Sequence, residues 1–242
     1  MTTASPRVAT WIFGRGCSVA SGLSWSEPSW WRFVPRSIRI SWIRRSILKG
    51  MDQVPRRVGP YRNLLMLLSA RTHSDWQHQF NTTNWDYLLQ REINDLSLST
   101  KPGWMLNSHV SHLNGSFESW GDPDKRSEIL LETDHADYRS WSLEANKAFN
   151  ILIHQQLIIV AGMSFRCETD QAFLSALGGP QDDLPIGDAV WIIVNSNYDD
   201  LNDLKTLITN KFPSSRVIPV QQAFNDWVAM GCTHLKGQCV LQ

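Results

Sequence analysis

The sequence is poor in cysteine, has no net charge and contains no long apolar run. Its four cysteines, Cys17, Cys167, Cys232 and Cys239, include no pair at the two-residue spacing of a zinc knuckle, which argues against a structural zinc module. His73, His78, His109, His135 and His154 fall into no metal-ligand spacing either, so no metal site is expected. Twenty-three Lys and Arg balance twenty-three Asp and Glu, which argues against nucleic-acid binding by bulk electrostatics and leaves it only indirectly, through a partner. No stretch approaches the ~20 apolar residues needed to cross a bilayer, and the first thirty residues lack a clean apolar stretch with a small-residue cleavage site. The expectation is a soluble, cytoplasmic protein with reduced thiols and no membrane contact. No internal repeat, low-complexity tract or linker is visible in the 242 residues, 42% of them hydrophobic, and one α/β domain with a full-sized core is affordable.

Charge that cancels overall is unevenly placed. From Arg32 to Arg62 nine basic residues face one acid, Asp52, whereas from Ser116 to Asp203 sixteen acids face five bases. A basic segment of this kind suits nucleic acid, a phosphorylated ligand or an acidic partner surface, or it packs near the chain's own acidic half or is simply solvated. Twelve tryptophans are present, and Trp25, Trp30, Trp31 and Trp42 cluster in or beside this segment. They suit core or interface anchoring better than base stacking. The stretch at about 25–75 therefore reads as a basic, Trp-rich helical insertion and an assembly surface for a homo- or hetero-oligomer.

Hydrophobic patterning alternates strands and helices. Val8–Phe13 is a short β-rich run ending in glycine, and Leu157–Ala161, Ala189–Val194 and Arg216–Val220 are further strands rich in Ile and Val. Gln79–Thr83 looks like a strand end and Trp104–Leu113 like another strand. Helices are expected over Tyr87–Ile93, Ser142–Gln156, Ala172–Leu177 and Asp200–Phe212, with helical tendency from Pro28 to Leu68 interrupted at Gly50, Pro55 and Gly59-Pro60. Nearly continuous apolar strands between helices predict an α/β, Rossmann-like doubly wound parallel sheet of six strands, covered on both faces.

The first strand runs into Phe13-Gly14-Arg15-Gly16-Cys17-Ser18-Val19-Ala20-Ser21-Gly22. In a doubly wound sheet this turn is where a dinucleotide's pyrophosphate approaches, since glycines let the backbone come close; a plain tight turn is the alternative. Further along lie Thr82-Thr83-Asn84-Trp85-Asp86-Tyr87, His112-Leu113-Asn114-Gly115-Ser116, Ala161-Gly162-Met163-Ser164-Phe165 and a strand ending at Asn195. Asn84 and Asp86 also suit the start of the helix that follows.

In that order and approximate spacing the set resembles the sirtuin-like superfamily, in particular its zinc-free bacterial branch associated with NAD breakdown in antiphage defence. The resemblance spans residues 8 to about 220. It implies that Gly14, Gly16 and Ser18 cradle the pyrophosphate, with Arg15 and Ser21 in the same turn. It puts Ser164 and Asn195 near the adenosine half, with Gly115 and Gly162 in the matched segments, and Asn84 and Asp86 at the nicotinamide ribose. An amide such as Asn84 both donates and accepts, and so can hold a ribose hydroxyl or a water as positive charge develops. Asn114 stands where the family has its catalytic histidine, and an amide is no general base near neutral pH. His112, two residues upstream and on the same face if the segment is a strand, is the substitute. The absent zinc cysteines disfavour deacylation. The resemblance thus implies NAD as substrate or bound ligand, either for a hydrolase cleaving the nicotinamide–ribose bond or for a catalytically impaired subunit that holds NAD or ADP-ribose.

Overall fold

The computed structural model describes residues 7–14, 33–55, 59–84, 86–96, 102–106, 109–113, 152, 154–163, 174 and 188–242. Among them are six strands, β1 (Arg7–Phe13), β2 (Trp76–Thr82), β3 (Ser111–His112), β4 (Leu157–Ala161), β5 (Val190–Val194) and β6 (Arg216–Val220). The helices are α1 (Arg36–Gln53), α2 (Pro60–Arg71), α3 (Leu88–Leu96), α4 (Tyr198–Lys211), α5 (Phe224–Ala229) and α6 (Thr233–Lys236). The strands form one sheet in the order β3-β2-β1-β4-β5-β6, and every neighbouring pair is parallel. This is the six-strand, doubly wound, Rossmann-like α/β fold that the apolar strands predict. Strand order reverses between β1 and β4, so the switch point lies at their C-terminal ends.

Alternation along each strand divides the core in two. Ala9, Trp11 and Phe13 of β1 join Leu157, Ile159 and Ala161 of β4 and Ile192 and Val194 of β5 on a first face, where Leu64, Leu65 and Leu68 of α2, Leu88, Leu89 and Ile93 of α3 and Trp227 of α5 cover them. Ile12, Ile158, Val160, Trp191 and Ile193 point to the second face, covered by Leu201, Leu204 and Ile208 of α4. The first face is unusually aromatic: Trp11 stacks on Phe13 at 5.7 Å between ring centroids and meets Trp227 at 6.1 Å. A helix pattern facing each side of a two-sided sheet explains why the strands carry so few exposed positions.

Helix ends follow local chemistry unequally. In α4 the Asn197 side chain accepts from the Asp199 and Asp200 N–H groups, acids occupy the first turn and Lys211 the last, an arrangement that complements the helix dipole at both ends. Pro60 opens α2, where its missing N–H costs nothing. By contrast α1 has no side-chain cap and no acid in its first turn.

Two expectations change. The 25–75 stretch is not uniform: α2 is a core layer of the first face, with Tyr61, Leu64, Leu65 and Leu68 buried, whereas α1 buries only Arg39 and Ile43. The strand expected over Trp104–Leu113 shrinks to Ser111–His112, preceded by a single bridge between Met105 and His78. The turn at Pro102, which Met105 N–H closes through the Pro102 carbonyl, and the Gln90 side chain, whose Oε1 accepts the Val110 N–H, take backbone groups that a longer strand would pair. The expected helices over Ser142–Gln156 and Ala172–Leu177 lie largely outside the described residues.

Candidate functional site

The C-terminal ends of β1, β2 and β3 are tied together by a short relay of hydrogen bonds. Thr82 Oγ1 donates to the Phe13 carbonyl at 3.1 Å and accepts the Asn84 N–H at 3.0 Å. The Asn84 amide nitrogen then donates to the Gly14 carbonyl at 3.3 Å and to the Tyr61 hydroxyl at 3.4 Å. His112 Nδ1 lies 3.0 Å from the Asn84 carbonyl. A carbonyl can only accept, so Nδ1 carries the proton and Nε2 keeps its lone pair. Asn84 is 5% exposed and His112 1%.

Two atoms of this relay have no partner among the described residues. Asn84 Oδ1 and His112 Nε2 are buried and make no hydrogen bond. Buried polar groups are nearly always paired, so two unpaired acceptors on residues joined by the His112–Asn84 bond leave hydrogen-bonding capacity that a donor would satisfy. Burial holds the His112 pKa down to about 4, and the bond to the Asn84 carbonyl raises it only in part. The ring is therefore neutral at pH 7 and Nε2 is available as an acceptor.

At the switch point, Gly14 fits for want of space. A Cβ there would run into Met163 and the Gly162 carbonyl. The Gly14 N–H is bonded to the Ala161 carbonyl at 2.8 Å, so it is not free for a phosphate. Gly162 turns the chain after β4 with φ of 64°, in the left-handed region that suits glycine. Asn195 closes β5 with both amide ends engaged: its Nδ2 donates to the Met163 carbonyl at 3.0 Å and its Oδ1 accepts the Asn197 N–H at 2.9 Å.

Of the residues singled out in the sequence, the fold brings Gly14, Asn84 and His112 together, with Gly162 beside Gly14. Asp86 performs the capping role open to it, accepting the Leu88 N–H at 3.1 Å to start α3. The Asn84 side chain does not cap that helix. The strand of His112 ends at His112 with Leu113 in a turn. Arg15, Gly16, Ser18, Ser21, Asn114, Gly115 and Ser164 lie outside the described residues. Sequence reasoning missed Tyr61, which no motif contains, and the parts played by Met163 and Thr82, which lie inside quoted motifs but whose contacts are only visible once the strands are paired. Among the described residues no group of three His, Cys, Asp or Glu is placed to hold a metal, and no helix is long and apolar enough to cross a membrane.

No protein-family model matches the sequence, and no curated protein matches it. Among solved structures, a chain described under "Structural Basis for the Mechanism and Regulation of Sir2 Enzymes" is similar at 14% identity and a TM-score of 0.48, over 95% of this chain and 94% of that one.

Proposed function

We propose that the strand ends of β1, β2 and β3 bind NAD and cleave its nicotinamide–ribose bond with water as acceptor. One observation carries this: the unpaired, buried acceptors Asn84 Oδ1 and His112 Nε2, on two residues joined by a hydrogen bond, with the Asn84 amide bonded to Gly14. Acceptors call for a donor, and ribose hydroxyls and an attacking water both donate. The glycine-rich sequence from Gly14 to Ser21 supports a phosphate neighbour, and the ordered motifs of the sirtuin-like resemblance supply the same assignment. In the reaction nicotinamide leaves with the electron pair of the glycosidic bond, the water oxygen bonds the anomeric carbon, and one proton is released. Asn84 Oδ1 stabilises the positive charge on the ribose, and His112 Nε2, in place of the family histidine, accepts the hydrogen bond of the attacking water, whose proton passes to solvent. The wider role carried by the resemblance is that of an antiphage effector, with activity dependent on assembly.

The second reading keeps the pocket and drops the chemistry. Asn114, where the family has its histidine, favours a subunit that holds NAD or ADP-ribose without turnover. Purified chain incubated with NAD, with nicotinamide release followed by chromatography, separates the two. Release that His112→Ala and Asn84→Ala abolish supports hydrolysis; calorimetric NAD binding without release supports the second reading. Neither binding nor release refutes both.

A further inference from the structure

Along α1, Ile38, Trp42, Arg45 and Lys49 recur at spacings of four, three and four and are all exposed. At 100° per residue they form one stripe along the flank of the helix beside buried Arg39 and Ile43, with Ile38 43% and Trp42 45% exposed. The stripe is segregated along the axis, apolar at its start and cationic at its end. On α4, Asp199, Asp203 and Leu207 recur every four residues, all exposed, on the side away from buried Leu201, Leu204 and Ile208. This stripe is anionic at its start and apolar at its end.

The two stripes complement each other in antiparallel alignment. Setting Trp42 against Leu207 brings Arg45 opposite Asp203 and Lys49 opposite Asp199, because each step of three or four residues on one helix meets a step of four on the other. At a rise of 1.5 Å per residue the matched run is about 11 Å long. They cannot meet within one chain. The end of α1 packs on the first face of the sheet through Met51, while α4 covers the second face. We propose that copies of this chain assemble head to tail, α1 of one docking antiparallel on α4 of the next. Two different patches make the contact heterologous, so the assembly closes as a ring or grows as a filament rather than stopping at a two-fold dimer. The proposal stands independently of what the strand ends bind.

The test uses the full chain in sedimentation velocity over a range of concentrations. The wild type is expected to form species larger than a dimer, and to lose them as salt rises from about 50 mM to about 500 mM, where screening shortens to a few ångströms. Arg45→Glu with Lys49→Glu, and separately Asp199→Lys with Asp203→Lys, should each raise the apparent dissociation constant about tenfold or more by setting like charges opposite one another. Both pairs are exposed, and circular dichroism checks that each variant folds. The decisive arm mixes the two reversed variants. Each is self-repelling, yet the anionic α1 of one fits the cationic α4 of the other, and the intact helices fit as well, so the mixture should reassemble. A wild type that stays monomeric throughout overturns the proposal. So does a mixture that stays apart, including the case in which only the α1 reversal has an effect because that stripe binds anionic vesicles or an acidic protein instead.

Discussion

Asn84 and Asn195 both stand just past the end of a strand, yet they use their amides in opposite ways. Asn195, after β5, has both ends satisfied by backbone, tying the β4 turn to the start of α4. Asn84, after β2, commits its nitrogen to Gly14 and Tyr61 and leaves Oδ1 buried and unpaired. The two buried histidines of β2 and β3 repeat the contrast. His78 accepts from the Trp11 indole N–H on Nδ1 at 2.9 Å and meets the Thr72 hydroxyl with Nε2 at 3.0 Å, whereas His112 leaves Nε2 bare. The same residue types therefore serve structure on one side and reserve hydrogen-bonding capacity on the other. Other buried atoms, such as Asn81 Oδ1 and both ends of the Gln79 amide, are also without a hydrogen bond among the described residues; Asn84 and His112 differ from them in standing at the ends of β2 and β3, beside the switch point.

Acid should give the largest effect and tests the buried state of both histidines. His112 is held to about 4 and His78 to about 3, each by burial, while both titrate near 6.5 when unfolded. Below pH 6.5 the unfolded chain takes up protons that the folded chain refuses, so stability falls as pH drops, by up to ~1.4 kcal/mol per pH unit for each ring. The loss continues to about pH 4 for His112 and to about pH 3 for His78. Urea midpoints measured from pH 7 to pH 4 should show it, and His112→Leu should roughly halve the slope over that range. A slope unchanged by His112→Leu would mean that this ring is not buried and neutral.

Removing the reserved acceptors comes next. Asn84→Ala should lower nicotinamide release on the order of 10²-fold, the usual consequence of losing one group aimed at developing charge. The readout is kcat with KM measured separately, since a merely structural role would move stability instead. Full activity in this variant would place the chemistry elsewhere.

Gly14→Ala tests the junction that holds the two halves of the sheet together. The new methyl meets Met163 and the Gly162 carbonyl; the side chain can turn aside but the backbone must shift, at about 1–3 kcal/mol. A thermal midpoint lowered by several degrees is expected. An unchanged midpoint would show that β1 and β4 approach less closely at their ends.

Much of this contrast could not be seen in the sequence, for reasons that differ by residue. β1, β4 and β5 were legible because both their faces are buried and their residues are nearly all apolar. α4 was legible from its apolar spacing, and the Asn197 cap with the acids behind it accounts for its start. β3 was overextended because Trp104–Leu113 is apolar at both ends, while the Gln90 side chain takes the Val110 N–H. The helices of the C-terminal tail, α5 and α6, were missed because six and four residues are too few for periodicity to show. Asn84 and His112 stood out by motif. Their shared feature, an acceptor with nothing to accept from, exists only once β2, β3 and the Gly14 turn are assembled. The question of which residue starts α3, open between Asn84 and Asp86, is answered by the Asp86 carboxylate on the Leu88 N–H.

The smallest effect should come from Asn195, and it is the sharpest check on the contrast. If its amide is structural, Asn195→Ala removes two bonds to neutral backbone groups, one part-buried and one exposed. The net cost should be about 1 kcal/mol, since each such bond is exchanged for one to water in the unfolded chain. Denaturant unfolding reads that loss directly. NAD affinity measured by calorimetry should stay within about twofold, well under the ~1.4 kcal/mol that a tenfold change represents. Asn195→Asp sharpens the point: the Oδ1 that accepts the Asn197 N–H is kept, the donor to the Met163 carbonyl is lost, and two acceptors then face each other. It should destabilise at least as much as Asn195→Ala. Should either variant weaken NAD binding tenfold while leaving stability untouched, Asn195 contacts the ligand and the ligand-binding capacity extends across the switch point to β5.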